Sequence, residues 1–227
     1  MAFPRVSLGQ HVCAMHKFPP GPRLFSILLF LAALRLAPAA HATIVGLNQI
    51  VTPEIQPTGV LGLSAQFEHP TIGNSQEIQL ELGITPRFEA AWFQGLKPNE
   101  GYFSSEFNLL QKGPHLLTVG VLNWSTLGGD PQPEAEYGYY TDKDRFVAGA
   151  IYANREAELL LGYKHLFSDK IALAADFQSG SANSLTLGVV YNFTPDLSIN
   201  PAIYWTNSHP HHFLGYVVVT WNITVWK

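Results

Sequence analysis

From Val60 onward the chain is written in short runs that alternate apolar and polar side chains with period two. In the run Gln76 to Ile84, Ile78, Leu80, Leu82 and Ile84 point one way, while Glu77, Gln79, Glu81 and Gly83 point the other. The run before it sets Leu61, Leu63, Ala65 and Phe67 against Gly62, Ser64, Gln66 and Glu68. Near the end, Val217, Val219, Trp221, Ile223 and Val225 oppose Thr220, Asn222 and Thr224. Successive side chains of an extended backbone leave on opposite faces, so this spacing predicts strands with one apolar and one polar face. The runs fall near 60–68, 75–84, 87–95, 102–111, 115–124, 134–141, 145–153, 157–166, 170–179, 183–193, 196–207 and 213–225. That makes about twelve strands of ~8–13 residues, close to the ~9–11 that cross a bilayer at a tilt. The sixth and seventh alternate poorly, which leaves about ten strands as the alternative. Pro201 inside a run cannot donate a ladder hydrogen bond and predicts a bulge.

The connections between runs alternate in length. Thr85-Pro86-Arg87, Lys112-Gly113-Pro114, Asp142-Lys143-Asp144, Ser168-Asp169-Lys170 and Thr194-Pro195-Asp196 are tight turns. Those between them are longer or more polar, as at His69 to Asn74, Ser125 to Pro133 and Asn207 to His212. Tight turns at one end and longer loops at the other fit an antiparallel up-and-down transmembrane β-barrel over residues 58–227. Symmetric loops would place Gln66 opposite Glu77, Ser64 opposite Gln79, Gly83 opposite Glu89 and Asp176 beside Thr186. About residues 98 and 99 the same arithmetic puts Ala91 opposite Glu106 and Glu89 opposite Asn108. The polar face thus stays polar from strand to strand, as a common lumen requires. Aromatics fall near strand ends: Phe67, Trp92, Phe103, Phe177 and Trp205 toward the loops, Phe88, Tyr191 and Phe193 toward the turns. A secreted β-sandwich shares the period, but uniformly long strands and only 13% charged residues favour the membrane barrel.

Ahead of the barrel, Arg23 precedes the apolar run Leu24 to Leu34 and a segment ending Ala40-His41-Ala42. This order reads as a secretory signal peptide over residues 1–42, since the apolar run falls short of the ~20 residues a spanning helix needs. Met15 offers an alternative start. Residues 43–57 are then expected as a periplasmic N-terminal segment. Four of the 13 basic residues fall within residues 1–42 and all 17 acidic ones follow Ala42, which leaves nine against seventeen, a formal −8. That balance argues against nucleic acid as a partner. Cys13, the one cysteine, lies in the leader, so the exported part has no disulfide or thiolate nucleophile.

The turn units resemble those of bacterial outer-membrane barrels of the meta-pathway phenol-degradation family. They are Gly83-Ile84-Thr85-Pro86-Arg87, Gly162-Tyr163-Lys164, Ala175-Asp176-Phe177-Gln178-Ser179-Gly180 and Tyr191-Asn192-Phe193-Thr194, within a likeness spanning roughly Pro57 to Lys227. The resemblance implies a transport channel for hydrophobic or aromatic compounds. The chain departs from such barrels at its end, where Lys227 follows Trp226 instead of a terminal aromatic.

The inward positions supply the candidate chemistry. Glu68, Glu77, Gln79, Glu81, Glu89, Glu106, Glu158 and Asp176 are the expected lumen lining, with Lys164 and Arg145 as partial offsets. Rings of carboxylates attract cations, although the same acids could simply solvate a wet interior. Gly62, Gly83, Gly162 and Gly188 on that face are expected to keep the lumen open. His209, His211 and His212 are weak candidate metal ligands, since no carboxylate is near in sequence. His69 beside Glu68 raises a rim hydrolase as a minor alternative, without a serine placed to pair with it. His115 and His165 are expected as interfacial side chains at the turn end. The expectation is a passive outer-membrane channel for small hydrophobic or cationic solutes, contacting membrane lipids and holding no cofactor. A hydrolase and a structural or adhesive barrel are the alternatives.

Overall fold

The structure is a computed structural model and describes residues 46–97 and 99–227. The expected leader, residues 1–42, lies outside the described residues.

The strands are β1 (Val60–Glu68), β2 (Gln76–Thr85), β3 (Phe88–Leu96), β4 (Asn99–Lys112), β5 (His115–Ser125) and β6 (Gln132–Tyr140). They continue as β7 (Asp144–Ala153), β8 (Glu156–Leu166), β9 (Ile171–Gln178), β10 (Ser184–Asn192), β11 (Leu197–Thr206) and β12 (Phe213–Thr224). Each pairs antiparallel with its neighbours in sequence, and β1 pairs with β12 to close a barrel of twelve strands. Leu63 faces Trp221 across that seam and Val60 faces Thr224, so both ends of the barrel wall meet at the tight-turn end.

Polarity is inverted relative to a soluble protein. Ser64, Ser104, Thr118, Thr186, Ser198, Asn200 and Asn222 are buried inside, and Phe67, Leu80, Leu109, Leu187, Ile203 and Trp221 are exposed outside. An apolar belt that runs around the whole wall is stable only against an apolar medium, and the closed ladder leaves no strand edge unpaired there. The apolar face is therefore not a core between two sheets, which removes the β-sandwich alternative.

Aromatic pairs border the belt. At the turn end the ring centroids of Phe146 and Tyr163 are 5.0 Å apart, and those of Tyr191 and Phe193 also 5.0 Å. His115 Nδ1 lies 2.6 Å from the Tyr137 hydroxyl and His165 Nδ1 2.7 Å from Asp144, so both histidines sit in this border. At the loop end Trp205 stacks on Phe213 with centroids 5.7 Å apart.

Two local expectations are corrected. There is no bulge at Pro201: Gly188 faces Ala202 and Tyr191 faces Ile199 in one register, and the ladder skips the pairs between them. The missing N–H is accommodated by leaving bonds unmade rather than by inserting a residue. The β3–β4 register is shifted by two from the expected one. Leu96 pairs with Asn99, which sets Glu89 opposite Glu106 and Ala91 opposite Ser104. A shift of two keeps every side chain on its expected face.

Leu80 is 38% exposed on the belt, midway along β2, while the neighbouring Gln79 faces the interior and bonds Gln66 at 2.7 Å. Leu80→Arg should destabilise the folded barrel by roughly 2–4 kcal/mol, measured by unfolding from lipid vesicles. Gln79→Arg should be tolerated. Equal effects, or the reverse order, would show the faces to be exchanged.

Candidate functional site

The barrel interior is neither empty nor filled by its own wall alone. Residues 46–57, expected to lie outside the barrel in the periplasm, run inside it instead. Gly46 bridges Val51, and Leu47 N donates to Ile50 O at 2.9 Å, which closes a tight turn whose tip is residues 47–50. Pro53 and Pro57 lack the N–H that a ladder needs, so this stretch cannot join the sheet as a regular strand. Its backbone groups are satisfied by side chains of the wall instead.

Deepest toward the loops, Asp176 accepts from Asn48 N at 2.7 Å and from Gln49 N at 3.2 Å. Asn48 Nδ2 donates to Thr186 Oγ1 at 2.9 Å, and the Tyr204 hydroxyl donates to Asn48 O at 2.5 Å. Asn200 Nδ2 reaches Leu47 O at 3.0 Å. Closer to the turns, Pro53 O accepts from Thr118 Oγ1 at 2.9 Å and Asn108 Nδ2 at 3.2 Å. Glu54 pairs with Arg145 at 2.8 Å, and Gln56 N donates to the Glu89 carboxylate. Leu47 and Ile50 bury their side chains against Val147, Ile151, Leu160 and Ala174.

Lumen glycines record the fit. A Cβ on Gly83 would lie 2.1 Å from Gln56 O and 2.3 Å from Pro57 O. On Gly162 it would meet Leu47 Cδ1 at 2.3 Å, on Gly188 Asn48 Oδ1 at 2.1 Å, and on Gly138 Pro53 Cγ at 2.7 Å. The inward glycines, expected to hold the lumen open, therefore seat the inserted segment. At the segment's root Gly59 has φ +75° and lies against Trp226 O, a position that other residues would adopt only with strain.

Above the tip of the segment a cavity of about 1130 Å³ extends to the loops. Its floor is residues 46–51, and Glu68, Glu77, Gln79 and Glu81 from the expected lining share its wall. Glu89 and Glu106 lie instead on the turn-end side, buried beside the segment. Asp176 holds the tip, and Glu158 accepts from Gln178 Nε2 at 2.6 Å and Asn183 Nδ2 at 2.8 Å, which ties a loop to the wall. Of the two expected offsets, Arg145 is engaged by Glu54 and Lys164 is buried opposite it across β7 and β8. The vestibule lining carries six acids (Glu68, Glu77, Glu81, Glu100, Asp130 and Glu134) and one base, Arg155.

Sequence reading missed Glu134 and Glu136, which point inward from β6 with Gly138 between alternating outward Ala135, Tyr137 and Tyr139. That alternation was present as Glu-Ala-Glu-Tyr-Gly-Tyr, disguised because its outward positions are tyrosines. Among the described residues no three His, Cys, Asp or Glu side chains are grouped to hold a metal. His209 and His211 have ring centroids 4.1 Å apart, and His211 Nδ1 lies 2.7 Å from Thr206 O. His69 Nδ1 accepts from Thr71 N at 3.2 Å, a bond within its own loop.

No family model matches the chain, and no curated protein matches it in sequence. Solved structures do match in fold. The NanC porin is 9% identical with a TM-score of 0.50, over 71% of this chain and 98% of that one. The KdgM porin in complex with disordered oligogalacturonate is 7% identical with a TM-score of 0.54, over the same shares.

If the segment occupies the lumen, Gly83→Ala must clash with its carbonyls, which are backbone and cannot rotate away. Gly215, where an added methyl would have nothing within 4 Å, is the control. Gly83→Ala should cost about 1–3 kcal/mol, as overpacking does, read as a lower unfolding midpoint. Gly215→Ala should unfold with the parent. A Gly83→Ala protein as stable as Gly215→Ala would place the segment elsewhere.

Proposed function

We propose that this chain is a passive outer-membrane channel for small solutes, held closed by its own residues 46–57. The observation that carries the reading is the vestibule: an acid-lined, loop-side cavity of about 1130 Å³ that stops at the inserted turn instead of at a packed wall. Twelve strands lie between the ~8 that give a side-chain-filled interior and the ~16–18 that give a wide channel. Such an interior can hold one extra segment, and removal of that segment would join the vestibule to the turn end. The exposed apolar belt and its aromatic borders support a bilayer location, with the tight turns and both barrel termini on the periplasmic side.

The cargo chemistry differs from that of the KdgM complex. An oligogalacturonate is a polyanion, and the six acids around this vestibule would repel it. The turn motifs resembling the meta-pathway phenol-degradation family favour solutes with an aromatic or apolar body. Val51, Ile72 and Phe93, half-buried on the vestibule wall, are compatible with that.

The closing segment can be locked or loosened. Leu47 Cδ1 stands 2.3 Å from where a Gly162 Cβ would be, so Leu47→Cys with Gly162→Cys, in a Cys13→Ser background, brings two sulfurs within bonding reach. Asp176→Ala with Asn200→Ala removes the bonds to Asn48 N, Gln49 N and Leu47 O at the tip and leaves those of Thr186 and Tyr204. In planar bilayers the loosened protein should conduct and prefer cations under a salt gradient. The oxidised cysteine pair should stay closed and open on reduction. A loosened protein that is folded yet never conducts would remove the channel reading.

A further inference from the structure

We infer that the vestibule is a binding site for organic ammonium ions with an aromatic or alkyl body, a deepening that rests on its being the mouth of the proposed channel. One wall carries Glu68, Glu77 and Glu81 with Phe93, Tyr102 and Tyr216 around them. Among the described residues no Lys, Arg or His comes within salt-bridge distance of these three acids.

Three of the wall's donor groups serve its own acceptors. Gln79 Nε2 donates to Gln66 Oε1 at 2.7 Å and to Glu77 Oε1 at 2.9 Å, while the Tyr216 hydroxyl donates to Gln66 Oε1 at 3.1 Å. Asn74 Nδ2 is directed to Glu77 Oε2 at 3.5 Å. Its Oδ1 has no hydrogen-bond partner among the described residues, although the side chain is 8% exposed and lines the same cavity. Buried acceptors without donors are costly, so the complementary ligand must bring N–H groups or positive charge.

Three classes of ligand are separated by this lining. Anions meet carboxylates that have no basic partner. Neutral sugars need donors as well as acceptors, and the Gln79 and Asn74 amides and the Tyr216 phenol already donate to acceptors of the wall. A divalent metal needs several oxygens at ~2.0–2.6 Å, whereas no such grouping occurs among the described residues. A weakly hydrated organic cation needs only diffuse negative charge and aromatic faces, which attract it through the ring quadrupole. Val51 and Ile72, both half-buried in the lining, offer its apolar body a surface.

The full chain in nonionic detergent should bind benzyltrimethylammonium saturably in calorimetry, and phenylacetate not at all. Potassium chloride at equal ionic strength should weaken this binding without abolishing it. Glu68→Gln, Glu77→Gln and Glu81→Gln together should weaken binding at least about tenfold, as loss of the local charge requires. Heat-dependent mobility on gels checks the fold, and single substitutions replace the triple one where it fails to fold. Equal binding of phenylacetate, complete displacement by potassium, an unchanged carboxamide variant, or no saturable binding by the folded parent would each overturn the site. Binding by a protein that never conducts when loosened upholds the site and removes the channel. Conduction without saturable binding does the reverse.

Discussion

Everything in this structure depends on closing the backbone hydrogen-bond ladder. In an apolar medium no water is present to satisfy an open strand edge, so the pairing of β1 with β12 is what permits the other eleven seams to exist there. Closure has a second consequence. The period of two that sends apolar side chains to the outer belt must send an equal number of residues inward, and here most of those are polar, with Val147, Ile151 and Leu160 among the exceptions. A twelve-strand circumference is too wide for them all to meet one another.

The inserted segment answers that constraint. It carries backbone donors and acceptors to polar groups of the wall, as Asp176 with Asn48 and Thr118 with Pro53 show. Bonds between a carboxylate and a backbone N–H are charge-assisted and stronger than neutral ones, which suits a contact that must hold a stretch of chain with no ladder of its own. Glycines supply the remaining shape: the wall is thinned where the segment touches it and where acids fold flat, as Glu134 does over Gly120. The interior is thus divided into a packed turn-end half and an open, acid-lined loop-end half.

The wall was legible in the sequence because its code is strictly local. Alternation across Gln76–Thr85 and the turn chemistry at Pro86 and Pro195 give faces and strand bounds without tertiary knowledge. Register failed only at β3–β4, where the chain turns between Leu96 and Asn99 rather than through a longer loop. The inserted segment was not legible. Residues 46–57 have no period, and Pro53 and Pro57 mark them simply as non-strand. The signal lay elsewhere, in the inward glycines, whose meaning as seats rather than gaps needs a partner that periodicity does not name. For the same reason the eight expected lining residues separated: Glu68, Glu77, Gln79 and Glu81 face the vestibule, whereas Asp176 and Glu89 hold the segment.

Residence of residues 46–57 in the lumen is the claim on which the account turns, and amide hydrogen exchange of the folded protein in detergent or lipid reads it directly. The amides of Asn48, Gln49 and Gln56 donate to Asp176 and Glu89, so peptides covering them should exchange slowly, alongside the barrel strands and well behind the exposed loop around Leu127. Complete exchange of those peptides at the earliest time, with the strands still protected, would contradict the account.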